Sequence, residues 1–509
     1  MADPKSEKSL VLRVARATAK GFFHLPAIAT LVHAALLGGM PSAVPPPALA
    51  PASAGAFDWP VCSEAERLVS VHLEAFLLRN AFARRLAARL RDETGTDFFE
   101  WVDHLVVAPE EAKAFLAAGF EREKVEAPRG TTVLWHPRAM MPRVLLPPGG
   151  GHGEVPSVLA LRTEGLGDFL AAHDLDVPIE GEFGARLRRA LVSDENGTRL
   201  QAVERLGGRG FLVREPTAKF VRSALAAREL WRTRKRDFAT DAEGVTHALA
   251  RLEAVLALVD RDAACDLFFA EERRFWEARN RAARVQKRRQ DRLGLGWGNH
   301  DHHTFRCSRA HFADLNAFLQ RLGFQKRERY YAGAEAGWGA QISEQATAGI
   351  VVFADVDLMP EETAIDFSIQ RLPAAPRLGT VGLWCGLHGD SFLQAGMHHL
   401  EARFDFARLR DQLAAEGIRT MKPFSDFEFL RQAFTEGERW TVRSARVAAL
   451  RQQGLLTAEQ AESFLRDGAI GSHLENLERH GGFKGFNQKS VSAIIAATDP
   501  RNIREAQAG

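Results

Sequence analysis

The chain carries one pattern twice, and that repetition limits its possible folds more than any single motif does. Asp103-His104 lies in a β-rich run and matches Asp301-His302 in another. Each leads into a helix pattern closed by Gly-Phe, Gly119-Phe120 and Gly323-Phe324. Further on, Val158-Leu-Ala-Leu-Arg162 matches His399-Leu-Glu-Ala-Arg403, and Gln201-Ala-Val-Glu-Arg205 matches Glu475-Asn-Leu-Glu-Arg479. Gly-rich runs ending in Phe211 and Phe483 follow the last pair, and helical stretches at 63–91 and about 246–290 precede the two copies. Each copy reads as strand, helix and further strands bounded by turn formers. The expected fold class is α+β, a tandem duplication of paired βαβββ units with helical lead-ins and insertions.

The copies differ where chemistry would sit. In Asn299-His-Asp-His-His-Thr-Phe-Arg306, alternate residues share a strand face, so His302, Thr304 and Arg306 point one way. Two histidines and a carboxylate, each on its own strand, make the facial triad of non-haem Fe(II) sites. His302 supplies one, the pair His398-His399 another, and Glu475 or Glu478 the third. The plainer alternative is a His-rich strand end with a structural histidine. Copy one keeps His104 but has Val158 for His399, Gln201 for Glu475 and Ala108 for Arg306. One histidine and one amide hold a metal poorly, so copy one is expected to be catalytically silent. His300, His303, His311, His388 and His480 are expected bystanders.

Three stretches carry a family resemblance: the His302/Arg306 spacing, the His-Leu-x-x-Arg run at His399, and Glu475-x-x-Glu-Arg before a Gly-Phe-rich tail. Together they resemble the 2-oxoadipate dioxygenase/decarboxylase (hydroxyglutarate synthase) family of the vicinal oxygen chelate superfamily. The tail is also similar to the end of 4-hydroxyphenylpyruvate dioxygenases, and Val352 to Glu361 loosely resembles a strand end of the first family. The resemblance covers about 295–500. It implies Fe(II) held by His302, His399 and Glu475, a small-molecule 2-oxo acid and O2 as partners, and Arg306 on the substrate's distal carboxylate. It also implies oxidative decarboxylation and hydroxylation of the 2-oxoadipate to 2-hydroxyglutarate type. Glu478 and Arg479 read as structural, because Glu204 and Arg205 persist in copy one. Gln432, in a Leu-Arg-Gln run, and Arg403 are further candidate substrate contacts; Arg162 persists in copy one, which favours a structural pair for Arg403. The alternatives are a redox-inactive metal-dependent lyase or isomerase and a non-catalytic small-molecule-binding protein.

Lys and Arg number 67 against 65 Asp and Glu, which gives no reason to expect a nucleic-acid or membrane partner. Cys62, Cys265, Cys307 and Cys385 form no Cys-x-x-Cys pair, which suits a reducing, cytoplasmic setting. The apolar stretch 22–37 is interrupted by His24, Pro26 and His33 and is too broken for a membrane span. A secretory signal there is the alternative to an N-terminal helix. The expected organisation is 1–56 N-terminal helix and Pro/Ala-rich linker, 57–225 degenerate copy, 226–294 helical lead-in and 295–509 metal-binding copy. Copy two is longer, and insertions at 332–376 and 436–472 are expected as lids.

Overall fold

The computed structural model describes residues 59–149, 156–486, 495 and 498–501. The expected N-terminal helix and linker, 1–56, lie outside the described residues.

Copy one is an eight-stranded sheet in the order β2-β3-β4-β1-β5-β8-β7-β6. Its strands are β1 (Val102–Val106), β2 (Glu121–Glu123), β3 (Thr132–Trp135), β4 (Arg143–Leu146), β5 (Ser157–Arg162), β6 (Ile179–Glu180), β7 (Leu187–Glu195) and β8 (Thr198–Arg205). Copy two comprises β9 (His300–Arg306), β10 (Gln325–Tyr331), β11 (Trp338–Gln345), β12 (Ile350–Asp357), β13 (His399–Arg403), β14 (Ser425–Phe427), β15 (Leu430–Phe434), β16 (Glu438–Trp440) and β17 (Ala469–Arg479). Its order, β10-β11-β12-β9-β13-β17-β15-β14, repeats that of copy one position for position, with β16 added beside β17. The fold is α+β, two paired βαβββ units in tandem.

The registers repeat as well. Ala160 pairs with Gln201 as Glu401 pairs with Glu475, and Val106 faces Val158 as Thr304 faces His399. Both central antiparallel pairs carry a register shift near the first histidine, between Val102 and His104 and between Leu400 and Ala402. Such an extra residue bends the strand and re-aims a side chain. Buried polar contacts recur too. Arg205 grips Asp103 at 2.6 Å and Arg479 grips Asp301 at 2.9 Å. Glu204 accepts the Leu166 N–H, and Glu478 accepts that of Phe406, each at a helix start. Asn80 and Asn280 each cap a helix and donate to β8 or β17, at Thr198 and Ser472.

Strand alternation sends one face of each sheet to a helical layer. Leu105, Leu159, Leu161 and Leu200 pack under helices Ser63–Arg79 and Ala81–Arg89. Phe305, Leu400, Ala402 and Leu474 pack under helices Arg261–Glu277 and Arg281–Asp291. The repeated lead-in is therefore the latter helix pair; Asp241–Leu256 is an additional helix rather than part of the repeat.

Residues 98–101 form a 3-10 turn before β1. The expected insertions are corrected. The first insertion is not 332–376, because β11 and β12 lie there as counterparts of β3 and β4. Their greater length disguised them. The added segment is 358–398, between β12 and β13, with helix Thr380–His388. The second lies between β15 and β17, within 435–468. The two do not stand as separate lids. Leu383 and Leu387 of the first share a core with Val447, Leu450 and Phe464 of the second.

Burial opposes the charge on Asp103, but Arg205 and His104 outweigh it and hold its carboxyl well below the usual range. Arg205→Met strands that carboxylate. Unfolding in urea should show a loss of about 3 kcal/mol or more. Adding Asp103→Asn should recover part of it, and a loss within error for the single change would remove the pair's structural role.

Candidate metal centre

Three neighbouring strands build the site. β13 runs parallel to β17 with His399 beside His473 and Glu401 beside Glu475. β9 runs antiparallel on its other side, with Thr304 beside His399, and the register shift brings His302 against Glu401. All of these side chains are buried on the face away from the helical layer. His302, Thr304, His399, Glu401, Gln432 and Glu475 line one cavity of about 60 Å³.

The distances tie four residues together. His399 Nε2 lies 3.0 Å from Glu475 and 3.5 Å from Glu401. His302 Nδ1 lies 3.4 Å from Glu401 and also contacts Asp301. Ligand atoms of His399, Glu401 and Glu475 all lie within 4.8 Å of one another. Glu401 links His302 to the His399–Glu475 pair. Glu401 lies outside the motif spacing, but it stands two residues after His399 on the same strand face and aligns with Ala160 in copy one.

The other candidates fall into place by their partners. His398 Nδ1 faces the Gly471 carbonyl at 3.1 Å, so its Nε2 accepts from His473 at 3.2 Å. His398 does not line the cavity, whereas His399 does. Glu478 is occupied at a helix start, as above. Gln432 lines the cavity and donates to Glu475 at 3.1 Å, which orients that carboxylate. Phe434 stacks on His473 with ring centres 4.2 Å apart and packs against His399 at 4.8 Å.

The arginines are placed less simply. Arg306 shares the face of His302 but is fully buried beside Asp355 at 3.9 Å. Its guanidinium lies near Trp384 of the added segment, and its backbone N–H donates to Ser391 Oγ. Asp355, not Arg306, lines the cavity. Among the described residues, Arg306 Nε and Nη1 have no hydrogen-bond acceptor. Arg403 is held by Glu100 of copy one at 3.3 Å and does not line the cavity, because its end of β13 abuts the turn before β1. Arg327, which the sequence reading did not single out, does line it and is paired with Glu328 at 2.7 Å.

The electrostatics suit a cation. Burial and the facing Glu401 push the Glu475 carboxyl up. Burial also opposes charge on Glu401, but His302 and His399 outweigh it and hold that group low. Burial disfavours the charged form of His399, yet Glu401 and Glu475 raise it to about 9. Carboxylate oxygens and imidazoles at this spacing are the donor set of Fe(II), Mn(II) or Zn(II), so the residues fit such a metal.

No family model matches the chain, and a search of curated proteins gives no match. Solved structures do match at low similarity. A mutant of 4-hydroxymandelate synthase from Streptomyces coelicolor is 14% identical over 79% of this chain and 98% of its own, with a TM-score of 0.27. The uncharacterised protein YdcJ of Shigella flexneri, which includes domain DUF1338, is 13% identical over 50% of this chain and 73% of its own, with a TM-score of 0.21. Methylmalonyl-CoA epimerase from Mycobacterium tuberculosis is 12% identical over 35% of this chain and 87% of its own, with a TM-score of 0.19. None of these values carries an activity over to this chain.

The shifts set a pH dependence. Glu475 and His399 both have folded values above their unfolded ones, so between those values the native state holds protons that the unfolded state has released. Their stabilising contribution is complete below the unfolded values and is lost as pH rises through the folded ones. In chelator-treated protein this contribution should weaken between about pH 5 and 9, most visibly above about pH 7, because buried His300, His303, His398 and His473, held low by burial, act the other way below that. Adding a divalent metal should raise the melting temperature most at the alkaline end, because the metal replaces those protons. Equal stabilisation at all pH values would mean that metal binds elsewhere.

Proposed function

We propose that the chain is a non-haem Fe(II) dioxygenase that oxidatively decarboxylates and hydroxylates a 2-oxo acid bearing a second carboxylate. The observation that carries this reading is the convergence of His302, His399, Glu401 and Glu475 in one cavity of copy two, where copy one has His104, Val158, Ala160 and Gln201. Three of these four donors have no counterpart in copy one, which keeps His104 and the surrounding ion pairs and caps; that contrast supports a functional role for the three.

A metal held by His302, His399 and Glu475 would supply a point of chelation for the 2-oxo acid and a redox centre for O2. The protein's own residues set the conditions. Gln432 orients Glu475, and Phe434 with His473 holds the His399 ring. Trp338, Phe353 and Phe424 wall the cavity and exclude water. A cavity of about 60 Å³ holds only a few waters. Entry of a dicarboxylic acid therefore needs the cover formed by Phe486 and Ile495 to move. Arg306 is the proposed partner of the distal carboxylate, through a bidentate pair. It lies behind Asp355, so Asp355 has to yield; Arg327 is the competing cation on the cavity wall. Gln432 is the further proposed substrate contact. Arg403 is proposed as structural.

Glu401 favours a second reading. As a fourth protein ligand it would leave two positions on a six-coordinate metal, enough to chelate a 2-oxo acid but not O2 as well. That arrangement suits Lewis-acid isomerase or lyase chemistry.

Metal analysis with O2-uptake assays over a panel of 2-oxo acids tests the main reading. Glu475→Ala should lose most bound metal, and metal binding without substrate-dependent O2 uptake would transfer the reading to the Lewis-acid alternative. Arg306→Met should lose on the order of ten- to a hundredfold in kcat/KM on 2-oxoadipate. It should lose little on a 2-oxo acid lacking the second carboxylate, and metal content should hold. The same selective loss in Arg327→Met instead would move the clamp to β10. Glu401→Gln decides between the coordination states: a tenfold or greater loss of Co(II) affinity with a changed visible spectrum is expected if it is a ligand, and an unchanged spectrum if it is not.

A further inference from the structure

The near-twofold relation between the copies predicts an ion pair that is missing. Arg403 on β13 is held by Glu100, four residues before His104. Its counterpart Arg162 on β5 should meet the residue four before His302, which is Gly298. A Cβ at Gly298 would fall 2.5 Å from the Arg162 carbonyl oxygen, so the close approach of these two segments admits no side chain there. Among the described residues Arg162 therefore makes no ion pair within 4 Å and no side-chain hydrogen bond; Asp266 and Asp103 act on it only at longer range.

A cavity of about 180 Å³ occupies that place, with Arg162 and Gly298 in its lining. Arg273 lines it too. It is 6% exposed, donates to His303 Nε2 at 3.1 Å, and has no acceptor for its Nε among the described residues. The other charges along the wall are engaged. Arg205 holds Asp103, Arg228 holds Glu271, and Glu204 holds Arg188. Glu164 holds Lys287 at 3.0 Å, and Asp266 takes the Gly207 N–H at 2.6 Å. Leu206, Leu225, Leu267 and Trp297 supply apolar surface, and exposed Phe183 and Arg228 leave a way in.

We propose that this cavity binds a small organic carboxylate whose charged end takes the place that Glu100 fills in the other half. Two guanidinium groups, half-buried Arg162 and buried Arg273, face the cavity without a hydrogen-bonded carboxylate, and Asp266 and Glu164 on the same wall act on them only at longer range; a carboxylate guest would complete their pairing. A planar fork favours a carboxylate held by two parallel bonds. The volume suits a body about the size of benzene, which fits an engineered cavity of about 150 Å³. The site lies on the helical-layer side of β9, where His303 points, and is separate from the candidate metal cavity.

Calorimetric titration of the full chain with benzoate, glutarate and inorganic phosphate tests it. One carboxylate per chain should bind, and Arg162→Gln should weaken it at least tenfold. Ala270→Leu, which fills the cavity from its helical wall, should do the same by another route. Glu475→Ala should leave this binding unchanged, which distinguishes it from occupancy of the metal centre. Absence of carboxylate binding, binding unaffected by either cavity variant, loss of binding in Glu475→Ala, or phosphate binding as tightly as the carboxylates would overturn the proposal.

Discussion

Two glutamates and two histidines face one another where water cannot solvate them, and the surrounding architecture has to hold that charge in place. Glu401 and Glu475 lie side by side on parallel strands, so their repulsion follows directly from the register. His399 between them and His302 against Glu401 offset it in part. Gln432 on one flank and Asp301 on the other fix the orientations. Asp301 is itself neutralised by Arg479. A buried set of this kind costs stability unless a cation completes it, which is why it reads as a site rather than a structural network.

The duplication supplies an internal control that an isolated structure lacks. Copy one retains the Asp–Arg pair, the carboxylate at the helix start, the capping asparagine and the register shift. These features maintain a sheet and its helical cover. It has Val158, Ala160 and Gln201 where copy two has His399, Glu401 and Glu475. The contacts common to both copies are thus separated, within one chain, from the His/Glu cluster that copy two alone carries. Copy two also carries two added segments, which pack on each other and bury Arg306 under Trp384 and Ser391.

Much of this was legible in the sequence, for definite reasons. Alternation along β9, β13 and β17 gives the facing of His302, His399 and Glu475, because the period of a strand is two. Comparison of the copies shows that copy one lacks counterparts of His399 and Glu475, and that Glu478 and Arg479 repeat the contacts of Glu204 and Arg205. The same alternation pointed to Glu401, but motif spacing drew attention to its neighbours. Other features depend on contacts across the chain. That His399 lines the cavity while His398 turns to the Gly471 carbonyl and to His473 depends on strands far apart in sequence. The position of Arg306 behind Asp355 follows from the β9–β12 register and from the added segment that covers it. Arg403 and Arg162 hold matching positions at the ends of β13 and β5. Only the packing of one copy against the other gives the first a partner in Glu100 and leaves the second facing Gly298, because an ion pair between segments far apart in sequence is decided by which backbones come close in the folded chain.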